Sequence, residues 1–90
     1  MSRPFEGVRV LDLSDRLSGA FAARLFGDFG ADVALAEPRA GHPLRGEPPF
    51  LDDRPGVDRS VLHAYVNWNK RSVVLDDDAQ LPALIAGCDV

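Results

Sequence analysis

The stretch "VRVLDLSDRLSGAFAARLFGDFGADVALAE", Val8 to Glu37, decides the fold. Its first part, Val8 to Ser14, is a nearly continuous apolar run broken only by Arg9 and Asp12. Such runs belong to strands of a parallel sheet, which are covered on both faces. Ala22, Leu25, Phe26 and Phe29 then repeat at helical spacing, with Arg24 and Asp28 on another face. Ser18 is the expected N-cap and Gly30 the expected C-cap. Gly27, inside the helix, costs about 1 kcal/mol against alanine, a cost consistent with close packing on a sheet. Ala31 to Glu37 reads as a second buried strand. Strand, helix and strand together predict a right-handed βαβ unit with a parallel pair.

Working outward, Pro38 to Gly56 holds five prolines and three glycines, which predicts a long surface loop reaching to about residue 59. Loops of that length in compact domains are often functional or mobile. A short helix is expected within Asp58–Trp68, with Val61, Leu62 and Tyr65 on one face. "SVVLD", Ser72 to Asp76, reads as a third strand. "DDAQLPALIAG" reads as a short helix with Pro82 in its first turn. "CDV", Cys88 to Val90, reads as the opening of a fourth strand. The fold class expected is α/β, residues 1–90 forming the leading, incomplete portion of a Rossmann-like, mostly parallel sheet with helices on its faces.

Composition narrows the function. Ninety residues with 46% apolar and 27% charged side chains suit one small globular domain or part of a larger one. The net charge of −4 does not draw the whole chain to nucleic acid or to an anionic membrane. Any site for a polyanion must be a local cluster of cations. The single cysteine, Cys88, excludes an internal disulfide framework and a cysteine-built zinc site. No apolar run reaches the ~20 residues of a membrane span, and Met1 to Pro4 lacks a signal-peptide core, so a cytoplasmic protein is expected. Nine of the ten basic residues are arginine, a bias attributed to genome composition rather than function.

In open α/β sheets ligands bind beyond the carboxyl ends of the strands. The first such turn is "SDRLSGA", Ser14 to Ala20, where free N–H groups at the helix start attract an anion. Glu37 closes the second strand 18 positions after Gly19, the place of a ribose-binding acid in dinucleotide sites. The fingerprint G-x-G-x-x-G is absent, because this turn holds one glycine, so the nicotinamide reading is weak. Lys70 and Arg71 stand just ahead of the third apolar run. They are either solvated surface or a polyanion clamp, lysine as a point charge and arginine as a fork. Asn67, Trp68 and Asn69 add amides and an aromatic plate, and Arg39 and Arg45 can face the same mouth. His42 reads as a loop residue and His63 as a half-buried helix residue. Asp76 to Asp78 read as complements to a helix dipole rather than a metal site. Cys88 reads as packing rather than nucleophile.

Taken together, the spaced "G-V-R-V-L-D-L-S", "F-G-A-D-V", "E-P" and "N-K-R-S-V-x-L-D" make the chain resemble the N-terminal part of the class III CoA-transferases, from Phe5 to Val90. That group includes formyl-CoA and carnitine CoA-transferases and α-methylacyl-CoA racemase. The resemblance implies a Rossmann-like sheet that binds coenzyme A or an acyl-CoA as substrate. It needs no other cofactor and no metal. It places Arg16, Leu17 and Ser18 at the pantetheine arm and thioester. It places Asn69, Lys70 and Arg71 near the adenine and phosphate end, with Arg39 contributing.

The sequence departs from the family at Pro38, where some members carry arginine, and at Ser18-Gly19-Ala20, where alanine-glycine-proline is usual. The resemblance also puts the aspartate nucleophile of the transferases, and the acid and base of the racemases, beyond Val90. The piece alone is therefore expected to be inactive. Its expected partners are the remainder of such an enzyme and a second copy, since the family forms interlocked dimers. Two other readings stay open: a non-catalytic CoA- or nucleotide-binding module, such as a degenerate half of a tandem enzyme, and a segment that completes another chain's sheet.

Overall fold

The computed structural model of the chain describes residues 3–90. Three parallel strands form one sheet: β1 (Arg9–Asp12), β2 (Asp32–Glu37) and β3 (Lys70–Val74), in the order β1-β2-β3. Helix α1 (Leu17–Asp28) joins β1 to β2 and α2 (Val61–Val66) precedes β3. Helix α3 (Leu81–Ala86) follows β3, with Pro82 in its first turn. The βαβ unit read from Val8 to Glu37 is thus present, in a mixed α/β fold. Register is continuous across the sheet: Val10 lies opposite Val33, and Val33 opposite Lys70.

The last residue described adds a fourth position. The Val90 N–H donates to the Arg9 carbonyl at 3.2 Å, and the Val90 carbonyl accepts from the Leu11 N–H at 2.9 Å. The two bonds bracket Val10, the slanted pattern of a parallel pair. The order from β3 through β2 and β1 to Val90 runs 3-2-1-4, as in doubly wound sheets. The opening strand expected at "CDV" therefore makes its contact through Asp89 and Val90, not Cys88, which is half-buried outside any strand.

The helix stripe differs from the one expected. The buried residues of α1 are Ala20, Ala23 and Gly27, while Leu25 and Phe29 are exposed. A small-residue stripe lets α1 lie close on the sheet. A Cβ at Gly27 would stand 3.3 Å from the Asn69 Cβ and 3.5 Å from a Val33 methyl. Ala23 packs there with Val10, Ala31 and Val33, joined by Phe5, Val8 and Phe26. Ser18 does not cap the helix. Arg16 is the N-cap, without a side-chain bond, because a guanidinium carries no acceptor for the free N–H groups; the Ser14 hydroxyl upstream donates to Asp12. Gly30, one residue past the cap Phe29, takes φ +105° and donates to the Gly27 carbonyl, the usual glycine stop.

The loop after β2 is ordered by short turns. Pro43–Gly46 and Leu51–Asp53 each form a 3-10 turn, and Phe50 makes an antiparallel bridge with Ser60. Leu44 plugs a second small core with Ala20 and Val66, against which Leu62 packs. β3 starts two residues earlier than the apolar run implied, so Lys70 and Arg71 are its first two residues. α2 is shorter than the Asp58–Trp68 window and is capped by Ser60, whose hydroxyl accepts from the His63 N–H at 3.1 Å.

Candidate functional site

A groove of about 960 Å³ opens where β1 and β2 end. One wall is the turn Asp15–Ser18 and Phe21 of α1; the other is Leu62, Tyr65 and Val66 of α2; Pro43, Leu44 and Glu47 close the loop side. The lining is chiefly apolar, with Arg16 and two carboxylates at its rim. The position follows from topology, since the carboxyl ends of parallel strands leave a crevice between diverging loops. The turn is tight: a Cβ at Gly19 would stand 2.5 Å from the Ser14 Cβ, so only glycine fits.

Beneath the groove lies a buried polar network. The Lys70 ammonium donates to Asp12 Oδ2 at 2.7 Å, to the Ala20 carbonyl at 2.8 Å and to Asn67 Oδ1 at 2.6 Å. Its side chain is 1% exposed and that of Asp12 2%. An ammonium has three protons, and all three are used. Burial lowers the Lys70 pKa, opposed by the hydrogen bond and charge of Asp12. The other oxygen of Asp12 accepts from the Ser14 backbone N–H at 2.8 Å and from its hydroxyl at 2.5 Å. The Asn67 amide N–H₂ reaches His63 Nδ1 at 2.8 Å. Burial pushes the His63 pKa down to about 4, with Arg45 adding to the effect.

A second knot fixes the loop. Glu37 accepts from Arg45 Nε at 2.6 Å and Nη2 at 3.0 Å, from the His42 N–H at 2.8 Å, and from the Ser72 hydroxyl. Chiefly through Arg45, its carboxyl is held down at about 2. Arg45 Nη1 also donates to the Val57 carbonyl and to Asp58. His42 is buried. Its Nδ1 accepts from the Leu44 N–H, so Nε2 carries the proton and donates to the Ser14 carbonyl at 2.7 Å. Glu37, a ribose-binding candidate by position, is thus committed inside the molecule.

The structure brings Arg16, Leu17 and Ser18 to the groove. Arg16 is exposed and, among the described residues, in no ion pair. Arg39 stands beyond β2, exposed, in a bidentate pair with Asp76 at 2.9 and 2.7 Å. Asn69, Lys70 and Arg71 are not gathered there. Asn69 takes φ +68° at the start of β3 and donates to Asp28 at 2.7 Å. Arg71 lies on the opposite sheet face from Lys70, in an exposed bidentate pair with Asp32 at 2.8 and 2.9 Å. Sequence reasoning missed Asp12, Asn67 and the Glu37–Arg45 pair as structural anchors; the signal was an acid closing each of two largely apolar strands, Asp12 in β1 and Glu37 in β2, since a buried carboxylate needs a partner. Among the described residues no group of three His, Cys, Asp or Glu could hold a metal ion, and no helix is long and apolar enough to cross a membrane.

The sequence profile of CoA-transferase family III matches residues 5–90. The chain belongs to CoA-transferase family III. Formyl-CoA:oxalate CoA-transferase of Rhodopseudomonas palustris is 42% identical over 96 residues, which cover all of this chain and 22% of that protein. Subunit BbsE of the succinyl-CoA:(R)-benzylsuccinate CoA-transferase of Thauera aromatica is 38% identical over 76 residues, 84% of this chain and 18% of its own length. Among solved structures, a CAIB/BAIF family protein from Brucella suis superposes with a TM-score of 0.85 at 26% identity, over 99% of this chain and 25% of that one. This family III chain thus spans about a fifth of the length of the curated relatives it matches.

Proposed function

We propose that the chain is the N-terminal, CoA-binding part of a cytoplasmic enzyme that moves CoA between carboxylic acids, or of a related acyl-CoA racemase. The observation that carries the reading is the apolar groove of about 960 Å³ with, at its rim, an arginine that is in no ion pair among the described residues. A pantetheine arm is a thin, largely apolar chain with two amides, and it ends in a polyphosphate. Phe21, Leu62 and Tyr65 offer the arm apolar walls. Leu17 and Ser18 offer backbone N–H groups at the start of α1. Arg16 offers a charge-assisted bond to an anionic group. Arg39, once released from Asp76, adds a second guanidinium. Arg71 serves the adenine end from the open side of the sheet and Asn69 from the start of β3, and Lys70 supports the site from below.

The chain alone turns over no CoA thioester in this reading, because the nucleophilic aspartate belongs to a later segment. That segment and a second copy complete the enzyme. Calorimetric titration of CoA into the full-length protein tests the reading. Phe21→Asp should abolish binding, and Arg16→Ala should weaken it about tenfold, or 1.4 kcal/mol. Equal affinity in the parent and both variants, or no heat in the parent, overturns it.

A further inference from the structure

We propose that Lys70 is the positioning residue of the groove, a buried ammonium that fixes the spacing of its two walls; the inference rests on the groove's being the CoA site. Three acceptors surround its nitrogen, and they belong to three different elements. Asp12 ends β1 and, through its other oxygen, holds the turn at Ser14 that leads into one wall. The Ala20 carbonyl lies in the first turns of α1, beside Phe21 of that same wall. Asn67 caps the C-terminus of α2, directly after Tyr65 and Val66 of the opposite wall. Each anchor lies within a few residues, along the chain, of residues that line the groove.

The apolar core under the sheet does not depend on this ammonium. Val10, Ala23 and Val33 pack on one another through methyl groups alone. Lys70 therefore differs from a core residue in what its removal would loosen. Without it the Asp12 carboxylate, the Ala20 carbonyl and the Asn67 amide oxygen keep their burial and lose a donor. Water entering to satisfy them would enter between the walls. The titratable groups facing this nitrogen are few: Asp12 directly, and His63 through Asn67.

The test is hydrogen exchange in the full-length protein, read at three places. In Lys70→Met, which keeps the stem and removes the ammonium, amides of Leu17–Phe21 and of Leu62–Val66 should exchange at least about tenfold faster. Those of Val33–Ala36 should speed up less than those of either wall. Asn67→Leu covers the case in which Lys70→Met does not fold; it should speed exchange in Leu62–Val66 alone. Exchange that rises uniformly in both variants, or in neither wall, overturns the proposal. CoA titration separates it from the reading above. A parent that binds CoA and a folded Lys70→Met that binds it equally well overturn the positioning role only. A parent that does not bind CoA overturns the CoA reading, and the exchange pattern still decides the role of Lys70.

Discussion

Lys70 and Arg71 are neighbours in the chain and both pair with an aspartate, yet their pairs differ in almost every physical respect. The Lys70–Asp12 pair is 1% and 2% exposed, and the Arg71–Asp32 pair 69% and 50%. One strand step separates them, and successive side chains of a strand point to opposite faces. The α1 face is covered by a helix lying close on small residues, so a charge there must be fully partnered. The other face is thinly covered by α3, and water competes for the same bonds. Two adjacent cations thus report on the cover of two faces, and chemical type alone does not distinguish them.

The largest effect that tests this contrast is Lys70→Ala. Removing one partner of a buried pair leaves an uncompensated charge and costs about 3 to 5 kcal/mol. Chemical denaturation of the full-length protein should find the variant folded but clearly less stable than the parent. A loss equal to that of Arg71→Ala would erase the distinction between the faces.

Acid should come next. The folded Glu37 carboxyl is held near 2 against an ordinary 4.5. Its stabilisation is complete above about pH 4.5 and is lost as pH falls through 2, an effect on the order of 2 kcal/mol after allowance for solvent screening. His63, pushed down to about 4 from 6.5, acts in the same direction but earlier. The unfolded imidazole takes its proton first, so stability already declines between pH 6.5 and 4. Denaturation midpoints followed from pH 7 to 2 should fall in these two overlapping stages. Glu37→Gln should lower stability at neutral pH and remove the later stage.

Gly19→Ala probes the tight turn above Lys70. A methyl placed 2.5 Å from the Ser14 Cβ must displace the turn, at about 1 to 3 kcal/mol. Thermal unfolding checks the loss, and CoA titration should show a weaker complex. Unchanged values in both would mean that the turn has slack. The smallest effect belongs to Arg71→Ala. Its pair is exposed, and exposed pairs contribute little. The denaturation midpoint should not move measurably, and adding salt should leave it so.

The βαβ core was legible because its signals are local: two near-continuous apolar strands and a helix period between them. The stripe of α1 was misread for a related reason. Large apolar residues drew the reading toward Leu25 and Phe29, while close approach to the sheet selects Ala20, Ala23 and Gly27. The start of β3 was hidden because Lys70 looks like a boundary. Its stem is buried only by virtue of Asp12, 58 positions earlier, and no local pattern encodes that distance. The groove was legible in one wall, Arg16 to Ser18, since topology points to the first turn. The other wall depends on Leu44 folding back against α2, and loop residues carry no periodicity that foretells this.

The Glu37–Arg45 knot has a further consequence for how the segment between β2 and α2 tolerates change in length. Arg45 grips Glu37 behind it and Val57 and Asp58 ahead of it, so one side chain divides a long excursion into two short closed circuits. Closing a circuit costs entropy that grows only slowly with its length, roughly 0.6 kcal/mol for each doubling. The circuit from Gly46 to Gly56 can therefore lengthen by several residues at small cost, whereas the tighter one, from Pro38 to Leu44, also threads His42 and Leu44 into the interior. Inserted or deleted residues within this excursion should accumulate on the far side of Arg45.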